Sequence, residues 1–190
     1  VINVANLGRK PYIPLSSHLN IIMNQLGFLM RGEIIWDKSA SAGSSCAWGS
    51  FQSASNPCLR DVHEYLLVFS KGNYKLPRDK VERADGRIDT IPRDDFIHHT
   101  KSIWSFATER ASRVNHPAPF PVELPKRCIE MYSFAGDIVL DPFNGSGSTC
   151  VAAKMTGRTY IGVDLSEEYC IIAQKRIDET EAWIAPVVEV

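Results

Sequence analysis

Asp141-Pro142-Phe143-Asn144-Gly145-Ser146-Gly147-Ser148-Thr149 follows directly on the apolar run Ile138-Val139-Leu140. A short apolar run of this kind reads as a strand, and the glycines after it form a turn that opens a helix. Backbone N–H groups at such a turn can approach a ligand closely. A second acid, Asp164, ends the next apolar run, Tyr160-Ile161-Gly162-Val163. It lies roughly twenty residues downstream, the spacing at which a carboxylate meets ribose hydroxyls. The pattern predicts a site for a nucleoside-containing cofactor.

The chemistry of the turn narrows the choice. It has no Lys after its last glycine, which argues against a nucleoside triphosphate. It has no G-x-G-x-x-G, which weakens the case for a dinucleotide. Asp141, placed ahead of the glycines, suits a cation better than a pyrophosphate. S-adenosylmethionine carries a sulfonium and an amino group and no phosphate.

Working outward, the rest of the chain reads as strands alternating with helices. Val1 to Asn6 is strand-like, and Leu15, Leu19, Ile22, Met23 and Leu26 fall at helical spacing between Pro14 and Gly27. Glu33 to Trp36 is a strand, Ser39 to Asn56 a long Ser/Gly-rich loop, and His63 to Ser70 a strand apolar enough to be covered on both faces. Lys71 to Ser102 has weak periodicity and many turn residues and reads as an irregular insertion. Leu124 to Phe134 is a helix, Ile138 to Asp141 a strand, Ser148 to Met155 a helix closed by Gly157, and Thr159 to Asp164 a strand. Ser166 caps a last helix, with Glu167 and Glu168 in the first turn where the helix dipole favours acids. The expected class is α/β, a doubly wound, mostly parallel sheet in a single domain spanning residues 1–190.

Composition sets the outer bounds. The 190 residues are 44% hydrophobic and 23% charged, which is globular and not disordered. No apolar stretch approaches the roughly 18 residues a membrane span needs, and the chain opens without a basic leader, so a cytoplasmic protein is expected. Cys46, Cys58, Cys128, Cys150 and Cys170 are scattered without C-x-x-C spacing, which favours reduced thiols and no metal site. The net charge of −1 does not by itself announce a nucleic-acid partner.

Several segments together resemble the DNA amino-methyltransferases, which modify adenine N6 or cytosine N4. Asp-Pro-Phe-x-Gly-Ser-Gly at Asp141 to Gly147 is similar to their cofactor signature. Asn115-His116-Pro117-Ala118-Pro119-Phe120-Pro121 resembles their His-Pro segment, His63 to Lys71 the strand before the DNA-facing segment, and Gly157 to Asp164 the strand bearing the ribose-binding acid. The order resembles the permuted group, with the cofactor motif toward the C-terminus. The resemblance implies a Rossmann-like methyltransferase fold, S-adenosylmethionine as cofactor and double-stranded DNA as substrate. It assigns residues 115–165 to cofactor binding, through His116, Pro117, Phe120, Asp141, Pro142, Phe143, Gly145, Gly147, Thr149 and Asp164. It makes residues 71–102 a DNA-facing insertion, with Trp48, Lys75 and Arg78 as DNA contacts. The family's catalytic tetrapeptide, Asp/Ser/Asn-Pro-Pro-Tyr/Phe, does not occur in these residues. The catalytic residues are therefore unassigned, and a second polypeptide, partner protomer or further segment is expected to complete the sheet.

Each assignment has a plainer alternative. Asp141 could cap the strand end, Gly145 and Gly147 could be ordinary turn glycines, and Asp164 could share helix capping with Ser166. Phe143 could pack in the core, Ser148 and Thr149 could be caps, and His116 before Pro117 could order the backbone. Trp36, Trp48, Phe51 and Trp104 are candidates for stacking on DNA, with Trp36 better placed for a core and Trp48 for a surface. Asn56-Pro57-Cys58 holds the Pro-Cys pair of cytosine carbon-5 enzymes, but outside their context. The remaining alternatives are a non-catalytic subunit that binds cofactor or DNA, and a methyltransferase for RNA or a small molecule.

Overall fold

The computed structural model describes residues 1–7, 11–38, 48–74, 87–109 and 120–184. They form β1 (Ile2–Val4), α1 (Leu15–Gln25), β2 (Phe28–Asp37), β3 (His63–Lys71), α2 (Arg93–His99), β4 (Ile103–Ser105), α3 (Glu123–Tyr132), β5 (Ile138–Asp141), α4 (Ser148–Met155), β6 (Thr159–Gly162) and α5 (Glu167–Asp178). These elements fall into two compact units: β1, α1, β2, β3 and β4 in one, and α2, α3, β5, α4, β6 and α5 in the other.

The first unit is a four-stranded sheet in the order β1-β3-β2-β4. β3 runs antiparallel to both neighbours, and β2 pairs parallel with β4. The expected alternation of strand and helix breaks here because β2 and β3 face each other directly, from Phe28 opposite Lys71 to Asp37 opposite His63. A strand that returns beside its predecessor without a crossover runs antiparallel. The α/β class stands, with parallel pairing in β2–β4 and β5–β6.

Successive side chains on a strand point to opposite faces, so the burial of Leu66, Leu67 and Val68 means that both faces of β3 are covered. Trp36 joins them: its indole N–H donates to the Phe106 carbonyl at 3.0 Å and its ring stacks on Phe106 at 5.4 Å. α1 receives its cap from outside, Asn6 Oδ1 accepting the Ser16 N–H at 3.0 Å. Two expectations change. Residues 71–102 contain the helix α2, and Trp104, offered as a stacking surface, is 1% exposed on β4. A ring with no free face cannot stack on a base, so Trp104 belongs to the core.

The second unit is a β5–α4–β6 crossover flanked by α3 and α5. β5 and β6 pair in parallel from Ile138 opposite Thr159 to Asp141 opposite Gly162. Val139 and Tyr160 pack on Ala152, Ala153 and Ile129, while Cys150, Val151 and Ile177 extend the core toward α5. α4 ends at Met155 with Thr156 as its C-cap, and Gly157 turns left-handed at φ +77°. A Cβ at Gly157 would strike the Trp183 ring at 2.4 Å. Arg158 then fills the space beneath α3. It donates to Ser133 Oγ (3.1 Å), the Ser133 carbonyl (2.6 Å), Thr90 Oγ1 (2.5 Å) and the Thr156 carbonyl.

Glu130 lies in the same interior. Its Oε2 is buried with no hydrogen-bond donor among the described residues, and Lys126 Nζ stands 4.0 Å from Oε1. Burial pushes this carboxyl above its ordinary value of 4.5, against the attraction of Lys126 and Arg158. The folded value thus exceeds the unfolded one. Glu130's contribution to stability is therefore full below 4.5 and is lost as pH rises through the raised value. Glu130→Gln should stabilise the protein by about 1 kcal/mol at pH 7. The gain should shrink toward acid pH in paired thermal melts. A gain that does not change with pH would contradict this account.

Candidate cofactor site

The site grows from the carboxyl ends of β5 and β6, where ligands gather in parallel sheets. After Asp141 the chain turns sharply, and Asp141 Oδ1 accepts the Phe143 N–H at 3.0 Å. That bond throws the Phe143 ring outward, leaving it 85% exposed. The core-packing alternative for Phe143 is excluded by that exposure. Asn144 turns back instead. Its N–H donates to the Val163 carbonyl at 2.9 Å, and its own carbonyl accepts the Gly147 N–H at 2.8 Å.

The Asn144 side chain is buried over Gly162, where any Cβ would come within 2.5 Å of the amide. The Cys150 thiol donates to Asn144 Oδ1 at 3.2 Å. Burial, aided by the nearby Asp141 charge, pushes that thiol up to about 11, so it stays protonated and keeps the bond. Asn144 is therefore the hub of the turn. It stood in the quoted stretch as the variable letter between Phe143 and Gly145, and nothing in the sequence marked it out.

Asp164 ties the second strand to the loop. Its Oδ2 accepts the Gly145 N–H at 2.8 Å and its Oδ1 accepts the Ser166 N–H at 2.9 Å. Ser166 Oγ in turn accepts the Tyr169 N–H at 3.4 Å and caps α5. The capping role is thus present, and it orients the carboxylate at the strand end. Gly145 and Gly147 have φ of +49° and +83°. Both of their N–H groups are used inside the protein, so their contribution is backbone shape and close packing.

Arg176 on α5 braces the loop from behind. Its Nη1 donates to the Ser146 carbonyl (2.6 Å), Ser146 Oγ (2.9 Å) and Ser148 Oγ (3.3 Å). Ser148 Oγ donates onward to the Phe120 carbonyl at 3.1 Å, which places the Phe120 backbone beside the loop. Arg176 is a site residue that the sequence did not suggest. It looks like any cation in the last turn of a helix. α4 begins at Ser148 and Thr149 with no side-chain cap.

Asp141, Pro142, Phe143, Gly145, Gly147, Thr149 and Asp164 thus gather around one rim, with Val163 and Leu165 exposed beside them. His116, Pro117, Lys75 and Arg78 lie outside the described residues. Trp48 lies in the other unit, on a loop of its own. Among the described residues no cluster of His, Cys, Asp or Glu could hold a metal, and no helix is long and apolar enough to cross a membrane. The four described cysteines are free thiols.

The family model for N6/N4 DNA methylases matches residues 3–175. Type II methyltransferase M.MthZI of Methanothermobacter thermautotrophicus is 31% identical over 95% of this chain and 54% of its own length. M.MjaI of Methanocaldococcus jannaschii is 31% identical over 93% of this chain and 62% of its own. The chain thus spans little more than half the length of these curated relatives. A proposed DNA modification methylase of Thermus thermophilus, solved in complex with S-adenosyl-L-methionine, superposes with a TM-score of 0.71. It is 28% identical, and the match covers 94% of this chain and 67% of that one. The cytosine-N4-specific PvuII DNA methyltransferase, 19% identical, shares the fold with a TM-score of 0.66 over 92% of this chain and 61% of its own. The fold is the Rossmann-like one of DNA methyltransferases.

Proposed function

The chain belongs to the N6/N4 family of DNA methylases, and from that membership we propose that it serves S-adenosylmethionine-dependent methylation of an exocyclic amino group, on adenine or cytosine, in double-stranded DNA. The observation that carries this reading is the rim at the ends of β5 and β6. There Asp164 is pinned to Gly145 at 2.8 Å, and Asp141 lies at the start of the same loop.

The donor set fits the cofactor. Two carboxylates and the exposed Phe143, Val163 and Leu165 suit a cationic nucleoside with an apolar body, whereas a pyrophosphate would meet two like charges. Asp141 would hold the methionine end, Asp164 the ribose hydroxyls and Phe143 an open ring face, with Gly145, Gly147 and Thr149 shaping the floor. Pro142, Phe120, His116 and Pro117 would complete the wall. Bound there, S-adenosylmethionine supplies an electrophilic methyl group. The protein's part is positional: it fixes one reactant so that a base drawn out of the duplex meets it in line. Trp48, Lys75 and Arg78 belong to the DNA side of this reading, with residues 71–102 as the DNA-facing segment. A DNA-modifying protein with these properties belongs in the cytoplasm.

A second reading is a subunit that binds cofactor or DNA and takes its catalytic groups from another polypeptide or segment. It is favoured by the lack of a Pro-Pro-Tyr/Phe tetrapeptide among these residues. One experiment separates the two. The protein is incubated with methyl-labelled S-adenosylmethionine and mixed-sequence duplex DNA, and the product is digested to nucleosides. Labelled N6-methyladenine or N4-methylcytosine is the expected result and names the base. Cofactor binding without transfer selects the second reading, and binding of neither cofactor nor DNA sinks both.

A further inference from the structure

We propose that the loop from Trp48 to Arg60 is a preset stacking platform for an unpaired DNA base, with Trp48 and Phe51 as its aromatic faces and Arg60 as its cation. The inference takes its ligand class from the DNA-modifying reading above, but its evidence lies in the other unit and is separate.

The two rings stack on each other at 4.8 Å and 28°, and the Arg60 guanidinium carbon lies 5.6 Å from the Trp48 ring centre. Phe51 is 62% exposed and Trp48 38%. The rings pack on each other, and the loop backbone beneath them is closed by hydrogen bonds. The Cys58 N–H donates to the Trp48 carbonyl and the Ser50 N–H to the Asn56 carbonyl, each at 2.9 Å, around an isolated bridge between Gly49 and Pro57. Ser50 Oγ donates to the Ser53 carbonyl at 2.7 Å and accepts the Asn56 N–H at 2.8 Å. Gly49 has φ +70°, and a Cβ there would stand 2.2 Å from the Asn56 carbonyl oxygen.

The loop is also strained at its tip. Gln52, next to Phe51, is the one non-glycine residue with positive φ among the described residues, at +52°. Strain of this kind persists where the surrounding bonds over-determine it, and it clusters at ligand clamps. A hydrogen-bonded loop that keeps a strained residue beside two exposed rings has the form of a recognition surface.

The chemistry selects the occupant. Every nucleobase offers a π-face, and rings already stacked lose little freedom when a base joins the column. The guanidinium beside them complements the phosphate of the same nucleotide. A base inside the duplex has no accessible face, so the ligand is a base that has left the stack.

The test uses the whole protein and two fluorescently labelled oligonucleotides, a dT 12-mer and its abasic counterpart, titrated by anisotropy at fixed salt. Wild type should prefer the dT strand by about tenfold. Phe51→Ala and Trp48→Ala should each abolish that preference, and Phe51→Ala should leave abasic binding unchanged. Phe51→Leu should fail as Phe51→Ala does, whereas Phe51→Trp should retain the preference, which separates stacking from an apolar contact with a protein. Arg60→Ala should weaken both strands and reduce the salt slope by about 0.7.

A wild type without preference would overturn the proposal, as would alanine variants that keep it with unchanged melting. Cofactor binding is measured on the same preparations. Cofactor binding without base preference removes the platform and leaves the reading of the cofactor site. Base preference without cofactor binding does the reverse.

Discussion

Gly147→Ala should lower stability by about 3 kcal/mol and remove cofactor binding, a larger loss than a methyl group at an ordinary glycine produces. Two effects add. The φ of +83° costs an alanine about 1 kcal/mol. The new Cβ would also stand 2.8 Å from the Ala173 Cβ and 3.0 Å from its Cα. Overpacking of this kind costs on the order of 2 kcal/mol. α5 cannot yield cheaply, because Arg176, one turn beyond Ala173, holds the Ser146 carbonyl and both serine hydroxyls of the loop.

Gly136→Ala supplies the control. Its φ is +86°, but no atom lies within 4 Å of the added Cβ, so it should lose only about 1 kcal/mol. Ala173→Gly in the Gly147→Ala background should recover about 1 kcal/mol in a double-mutant cycle by thermal melting. Equal losses in the two glycine variants would show that the contact with Ala173 is not tight.

The second unit was the more legible from sequence because its signals are local. A strand, a glycine turn, a helix closed by Gly157, a second strand and a serine cap occur in chain order, and each carries its own residue-type mark. The helix of residues 148–155 and the cap at Ser166 were readable to the residue. The first unit hid more. The direction of β3 depends on which strand it returns beside, and no local pattern states that. β4 is three residues long and α2 seven, too short for a period to register. Trp104 looked like a free aromatic because burial is set by partners distant in sequence. At the site, the acids and glycines were visible by spacing. Asn144 and Arg176 were not, since they act through tertiary contacts with Gly162, Cys150, Ser146 and Ser148.

Asp164→Asn should cost both stability and cofactor affinity, whereas Asp141→Asn should cost affinity alone. Asp164 offers its two oxygens to two backbone donors, Gly145 at 2.8 Å and Ser166 at 2.9 Å. An asparagine has one acceptor, so its NH2 group must face one of those N–H groups, donor against donor. Leaving one such donor unsatisfied costs about 2 kcal/mol. It would loosen either the glycine turn or the start of α5.

Asp141 differs because, among the described residues, only its Oδ1 has a backbone partner, the Phe143 N–H at 3.0 Å, and an asparagine oxygen can keep that bond. The turn survives and the charge goes. On the proposed reading, Asp164→Asn should weaken S-adenosylmethionine about 100-fold, or roughly 2.7 kcal/mol, with a clear drop in melting temperature. Asp141→Asn should weaken it about tenfold at an unchanged melting temperature. Calorimetric titration and thermal melts on the same preparations decide the matter. An Asp164→Asn protein that melts like wild type would show that the carboxylate does not hold the loop. Full affinity in Asp141→Asn would remove the electrostatic argument for a cationic cofactor.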